Sequence, residues 1–369
     1  MIRFFLYSLL IFASFLATGC GGGNGASEVN GGDTLTHESQ LLTLVDHGDY
    51  ILADVTDPWR GGILQRYVLA SRDYRGELPE GAVVVRVPLE RSVVYSGVYS
   101  GAISELGAVD AIKGVADGGY FTSSEMQQRI RSGVIRDIGN SSSPSVETLV
   151  DLDPDAILLS PYQDQKAGAV ETLGVPLVQM VDYMESTPLA RAEWIRLIGR
   201  LYGQGDRADS IYSSVAESYR LLCKKVAESE DRPVVITELP QPGGVWYIPA
   251  GQSYMAQMLA DAGARYPWAD TEGSGSLALD EASMLEKGRD ADYWIIRNYG
   301  QLSRSVLLQS EPLLEHFRAL SQRGVYVCDT SVSPLFDEFP FHPERLLADY
   351  IAIFHPAATR QLRYFNQLK

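Results

Sequence analysis

The chain has 369 residues, with 47 acidic side chains against 31 basic ones and a formal net charge of −16. So acidic a balance argues against nucleic acid as a partner and against adhesion to anionic lipid headgroups. The length, with an apolar content of 45%, is enough for two ordinary domains.

At the amino terminus Arg3 provides a positive charge, residues 4–16 are almost wholly apolar, and Leu16-Ala17-Thr18-Gly19-Cys20 leads small residues into a cysteine. This pattern reads as a bacterial lipoprotein signal over residues 1–19, cleaved before a lipid-bearing Cys20. The alternative is an ordinary secretory signal with an incidental cysteine. The apolar run is too short to span a bilayer comfortably, and no later run approaches that length. Gly21-Gly22-Gly23-Asn24-Gly25 and the polar residues to about Asp33 read as a flexible tether, with residues 20–40 assigned to it. The expected product is an exported lipoprotein that touches the membrane through its acyl chains only and faces the periplasm. Cleavage removes Arg3 and leaves 350 residues at a net charge of −17. Cys223 and Cys328 follow no metal spacing. They read as two buried thiols, with a disulfide as the alternative in an oxidising compartment.

Residues 41–90 form a β-rich extension. Short apolar runs at 42–45, 50–53 and 65–69 are separated by His47-Gly48-Asp49 and by Asp57-Pro58-Trp59-Arg60-Gly61-Gly62, the pattern of an antiparallel meander. From residue 83 strands and helices alternate. Strands are predicted at 83–85, 93–95, 111–115, 134–138, 156–159 and 176–180, and helices at 97–107, 122–132, from Ser143-Pro144 onward, and at 164–173. Short buried strands between helices predict a parallel sheet covered on both faces, here assigned to residues 91–188. Residues 189–230 carry no strand signal. Ala208, Ile211, Val215, Tyr219, Leu222 and Val226 fall on one helical face, with Asp206 as a candidate cap. Twenty-two residues of helix span about 33 Å, a strut between two α/β regions. In residues 231–369 strands are predicted at 234–237, 246–248, 293–296 and 325–328, and helices at 252–262, 280–287, 311–320 and 343–354. Asp153-Pro154-Asp155-Ala156 and Asp290-Ala291-Asp292 precede matching strands, each after a helix with an acidic first turn, at Glu147 and Glu281. This is a weak internal repeat.

The motifs resemble the substrate-binding lipoproteins of ABC importers for ferric siderophores, haem and cobalamin, the class with a single rigid linker helix. The resemblance covers about residues 90–358. It rests on Arg91-Ser92-Val93-Val94 and Glu105-Leu106-Gly107-Ala108-Val109-Asp110-Ala111-Ile112-Lys113-Gly114-Val115. It rests also on Ser145-Val146-Glu147-Thr148-Leu149 through Pro154-Asp155-Ala156-Ile157, on Leu173-Gly174-Val175-Pro176, and on His342-Pro343-Glu344-Arg345 with the later His355-Pro356. The 41–71 meander extends beyond the family pattern. Gly97, Tyr99 and Gly101 replace its usual proline and Thr-Glu. Gly275 and Ser276 stand where the cobalamin-binding member carries a tryptophan.

The resemblance implies an α/β fold of two Rossmann-like lobes with central parallel sheets, joined by one long linker helix and here preceded by the meander. It implies capture and delivery rather than catalysis: no catalytic residue, no bare-metal site and no resident cofactor. The cargo would be an iron chelate or tetrapyrrole containing Fe or Co. The partners would be an ABC permease dimer and its ATPase, served by a monomer. Ligands of open α/β sheets sit outside the carboxyl ends of the strands. The candidate contacts are therefore Tyr95, Tyr99, Asp117, Tyr120, Phe121, Tyr162 and Gln163 in the first lobe. In the second they are Trp246, Tyr247, Arg297, Tyr299, Phe336 and Phe339. For every aromatic the competing reading is packing inside its own lobe. Arg297 would meet a carboxylate or an anionic chelate, and Tyr99 or Tyr120 is a candidate haem ligand. The resemblance also makes Glu147 and Glu281 docking residues for permease arginines, against the plainer reading of an acid favoured in a helix's first turn. Five histidines, spread along the chain, weaken a bare-metal importer. No triad, P-loop or zinc pattern supports an enzyme, a chelatase being the form such a fold would take. A third reading is a surface scavenger without a permease.

Overall fold

The computed structural model describes residues 31–369 apart from 165–167, 311, 323 and 357–360. The signal, Cys20 and the first part of the tether lie outside the described residues. The chain is already ordered at β1 (Asp33–Thr34), which pairs antiparallel with β2 (Leu42–Asp46). The tether expected to residue 40 therefore ends sooner. β2, β3 (Tyr50–Thr56) and β4 (Ile63–Ser71) form the meander, and β5 (Val83–Val87) adds to β4 in parallel. Alternation along β4 sorts its side chains. Tyr67 and Leu69 enter the main core, while Val68 and Ala70 join a small cluster under Tyr74 and Leu78. The Tyr67 hydroxyl donates to the Leu177 carbonyl at 2.7 Å and accepts from the Gln179 N–H at 2.9 Å, so the extension is joined to the first lobe.

The first lobe runs β6 (Ser92–Val94), α1 (Gly97–Glu105), β7 (Ile112–Val115), α2 (Ser124–Arg131), β8 (Arg136–Asp137), α3 (Val146–Leu152), β9 (Ala156–Leu159) and β10 (Leu177–Gln179). All five strands are parallel, in the order β10-β9-β6-β7-β8. The strand predicted at 83–85 is the parallel edge of the extension's sheet instead. The helix predicted at 164–173 is a 3₁₀ segment over Gly168–Leu173. The helix expected from Ser143 begins at Val146, where Ser145 accepts from the Thr148 N–H.

The strut has three pieces: α4 (Pro188–Ala192), α5 (Ile195–Leu201) and α6 (Gly205–Ala227). Gly203, at φ +68°, turns the chain out of α5, a conformation that suits glycine. Asp206 lies inside the first turn of α6, whose cap position is Gln204. At 23 residues α6 is about 34 Å long. It buries Ala208, Val215, Tyr219 and Val226 of the predicted stripe.

The second lobe comprises β11 (Val235–Thr237), β12 (Trp246–Pro249), α7 (Tyr254–Asp261), β13 (Ser276–Leu279), α8 (Glu281–Gly288), β14 (Tyr293–Asn298), α9 (Arg304–Ser310), α10 (Arg318–Ser321), β15 (Val325–Asp329), α11 (Leu335–Glu338), α12 (Pro343–Phe354) and β16 (Asn366–Gln367). β11, β14 and β15 are parallel and β16 is an antiparallel edge. β12 stays outside this sheet and pairs antiparallel with β13. The stretch between β11 and β12, Pro240-Gln241-Pro242-Gly243-Gly244 with its flanks, is too short for a parallel crossover, which takes a dozen or more residues. The two lobes and the strut form the two-lobed α/β architecture expected from the sequence, with no described helix long and apolar enough to cross a membrane.

Candidate ligand-binding cleft

Two hollows open between the lobes. The larger, about 580 Å³, is walled by Tyr162, Gln163 and Tyr183 from the first lobe and by Tyr247, Tyr254 and Arg297 from the second. The smaller, about 420 Å³, lies between Tyr95, Asp117, Tyr120 and Phe121 on one side and Tyr299 and Phe336 on the other. Tyr162 lines both. These volumes suit a small organic ligand or chelate. Strand order explains the placement. Tyr95, Asp117 and Tyr162 follow β6, β7 and β9, and Arg297 and Tyr299 close β14, so the carboxyl ends of both sheets face one cleft. Tyr120 is 72% exposed and Tyr299 67%, and their rings meet edge-on across the lobes at 6.2 Å.

Four expected contacts are buried: Phe121, 4% exposed, still lines the smaller hollow, and the other three line neither hollow. Trp246 stacks on Trp294 at 5.7 Å in the second lobe's core. Phe339 packs on Tyr254 at 6.2 Å. Tyr99 is 2% exposed and donates to Asp182 at 3.0 Å. Burial, reinforced by the Asp182 charge, pushes its hydroxyl well above the usual range. That removes Tyr99 as a haem ligand and leaves Tyr120 at the cleft. Along β12 the alternation buries Trp246 and exposes Tyr247, and Tyr99 lies on the buried face of α1.

Arg297 is also corrected. Its Nε reaches Glu238 Oε1 at 2.8 Å and its terminal nitrogen reaches the same oxygen. Burial disfavours the Arg297 cation, but the Glu238 carboxylate outweighs it and raises its pKa. Its charge is already met before any ligand arrives. Glu238 follows β11 with φ +65°, and its carbonyl accepts from the Trp294 indole at 2.8 Å. Asp117, after β7, also has a left-handed φ, +53°, and holds Asn140 Nδ2 and the Ser141 N–H. Asp164, on the loop that carries Tyr162, is left-handed as well, at φ +60°, so both lobes carry non-glycine residues in a sparsely populated conformation near the cleft. Among the described residues the buried Tyr95 hydroxyl has no hydrogen-bond partner. Burial and the Asp117 charge push it up to about 12, so it stays a donor.

Under the cleft Asp182 accepts from Arg191 Nε at 3.0 Å, and the Arg191 guanidinium lies 4.6 Å over the Tyr254 ring of the other lobe. Arg191 and Asp182 are buried, and Tyr254 is half-buried. Burial disfavours its charge, but Tyr254 and Asp182 hold it on. Sequence reasoning missed Tyr183, Tyr254, Glu238 and this pair. Only the run Asp182-Tyr183 directly after β10 offered a signal.

Glu147 and Glu281 lie in the first turns of α3 and α8, one per lobe, behind Ser145 and Asp280 caps. Glu147 is exposed and Glu281 half-buried. Cys223 and Cys328 are free thiols, half-buried and buried respectively. Among the described residues no group of His, Cys, Asp or Glu side chains is arranged to hold a metal ion.

A family model described as periplasmic binding protein matches residues 93–332. Two uncharacterized lipoproteins of Methanocaldococcus jannaschii are similar along most of the chain. One is 25% identical over 87% of this chain and 81% of its own length, the other 24% identical over 92% and 88%. Among solved structures, a periplasmic haem-binding protein from Pseudomonas aeruginosa superposes with a TM-score of 0.59 at 17% identity, covering 76% of this chain and 98% of that one. A protein of an ABC-type Fe3+-hydroxamate transport system from Saccharomonospora viridis gives 0.58 at 20% identity, covering 73% and 94%. A periplasmic binding protein from Veillonella parvula gives 0.60 at 14% identity, covering 81% and 98%. At these identities the likeness is one of fold.

Proposed function

The chain belongs to the periplasmic binding protein family, a family of binding proteins rather than enzymes, and from that premise we propose that it is the extracytoplasmic substrate-binding lipoprotein of an ABC importer. It captures an iron chelate, haem or cobalamin between its lobes, in that order of preference, and delivers it to a membrane permease and ATPase. The observation that carries this reading is the aromatic cleft between the carboxyl ends of two sheets, with rings of opposite lobes in contact. Solved proteins of the same fold are described as haem-binding and as part of a ferric hydroxamate importer, which supports the ligand class. Small residues at Gly275 and Ser276 favour the first two ligands over cobalamin. The strut of packed helices bends less than a pair of loops, so closure is small.

Lipid on Cys20 would hold the domain near its permease, and the lipoprotein description of the two archaeal relatives supports that anchoring. Glu147 and Glu281 would meet permease cations and orient docking. The test is to titrate the purified mature protein with a ferric trihydroxamate, hemin and cyanocobalamin while recording visible spectra and tryptophan fluorescence. A shifted Soret band assigns haem, and a saturable change with one of the others assigns that ligand. No change with any of the three rejects the ligand class.

A further inference from the structure

The larger hollow has a wall that neither lobe provides. Trp59 lines it together with Tyr162, Tyr247 and the small residues Ser274, Gly275 and Ser276. Trp59 lies in the turn between β3 and β4, in the extension that precedes the family match at residue 93. The turn is built to present it. Asp57 Oδ1 accepts from the Trp59 and Arg60 N–H groups at 2.8 and 3.0 Å, Asp57 N–H donates to the Gly62 carbonyl at 2.9 Å, and Gly61 and Gly62 take left-handed φ values of +73° and +78°. Arg60 then pairs with Asp164 on the first-lobe loop that carries Tyr162. The Trp59 ring is half-buried, packed against the main core and at the same time lining the cleft. Trp194, Trp246, Trp268 and Trp294, the chain's other tryptophans, are at most 3% exposed.

We propose that Trp59 is a ligand-contacting, specificity-determining residue, by which the amino-terminal extension closes the cleft against a flat conjugated face of the bound molecule. This rests on the cleft being the ligand site. Ser274, Gly275 and Ser276 offer almost no side-chain area, and the indole adds a large stacking surface to those of Tyr162 and Tyr247 in the same hollow. The only arginine or lysine among the described lining residues is Arg297, already neutralised by Glu238. Recognition there runs through ring faces rather than through cationic contacts, so the preferred ligand presents a planar conjugated face and little net negative charge.

Because the other four tryptophans are buried, Trp59 dominates iodide quenching of the intrinsic fluorescence. The experiment compares the mature protein with its Trp59→Ala and Trp59→Phe variants, using hemin, a neutral ferric trihydroxamate and a trianionic ferric tris-catecholate as probes. The expected result has four parts: ligand shields the wild type from iodide; W59A weakens the bound probe about tenfold or more; W59F restores most of the affinity; and W59F melts close to the wild type while W59A, which loses an indole packed against the main core, melts lower but stays folded at the titration temperature, since the turn's hydrogen bonds are main-chain and Asp57 bonds. Wild-type affinity in W59A, or equal quenching with and without ligand, overturns the proposal while the cleft reading stands. Tighter binding of the trianion than of either other probe overturns the ligand class. No binding by the wild type overturns the cleft reading itself, and the role of Trp59 with it.

Discussion

His342 Nε2 donates to Glu105 across the two lobes at 2.7 Å, while its Nδ1 faces Glu344 at 2.9 Å. Glu105 ends α1 and His342 precedes α12, so the pair fastens the lobes on the far side of α1 from the cleft. Burial disfavours the imidazolium, but the bonds to Glu105 and Glu344 outweigh it and raise His342 to about 9. Glu105 is lowered, since the His342 bond with Arg345 and Arg207 nearby overcomes burial. A histidine raised above its unfolded value of about 6.5 stabilises fully below that pH, and the contribution is lost as pH climbs through about 9. The melting temperature should fall between pH 6.5 and 9.5 by an amount equivalent to at most about 3 kcal/mol. His342→Gln, which cannot titrate, should flatten that fall. Equal slopes for both proteins would remove the pair from the pH response.

Gly101 sits inside α1, where glycine ordinarily costs about 1 kcal/mol relative to alanine. A Cβ there would collide with the Asp337 carbonyl of α11, on the other lobe, whereas one at Gly97 would meet only the Asp337 carboxylate, at 3.0 Å. Gly101→Ala should therefore destabilise or open the lobes by about 2 kcal/mol despite its better helix propensity, and Gly97→Ala should cost less. Denaturant melts and the radius of gyration check this. A stabilised Gly101→Ala protein would show that α1 and α11 do not touch.

Glu193 is wholly buried and accepts from the N–H groups of His37, Glu38 and Ser39 at 2.8 to 3.0 Å, while Glu185 takes Gln40, Leu41 and the Trp194 indole. Burial raises the Glu185 pKa against these bonds. Two carboxylates that flank α4 thus clamp the segment between β1 and β2. Glu193→Ala removes the acceptor of three part-buried N–H groups and should cost about 1–3 kcal/mol, with faster hydrogen exchange at residues 37–39. Unchanged exchange there would count against the clamp.

Reversing both docking charges, Glu147→Lys with Glu281→Lys, should leave solution affinity for the ligand within about twofold and reduce uptake by cells to background. Loss of binding in solution would place these residues in the ligand's account rather than the permease's.

Much of the architecture was legible because burial on both faces leaves runs such as Ala156-Ile157-Leu158-Leu159, and because α6 keeps one apolar face over six turns. Partners of strands were less legible. The 83–85 run pairs with β4 in the extension's sheet, and β12 pairs with β13 instead of entering the second lobe's parallel sheet. At the cleft, loops after strands were foreseeable, so Tyr95, Asp117, Tyr120, Phe121, Tyr162, Gln163, Tyr247, Arg297, Tyr299 and Phe336 do reach it. Tyr99, Trp246 and Phe339 turn inward, since a ring one position along faces the opposite way. Glu238 and Trp59 were unreadable, as their roles depend on contacts made by segments distant in sequence: β14 for one, both lobes for the other.

The most direct measurement is calorimetric titration of the mature protein and of its Tyr162→Ala, Tyr247→Ala and doubly substituted forms with the ligand identified by spectroscopy. Tyr162 and Tyr247 wall the same hollow from opposite lobes. One ligand per chain, weakened about tenfold by each substitution and more by both, without a change in melting temperature, is the result expected of capture between the lobes. Wild-type affinity in the double variant would contradict it.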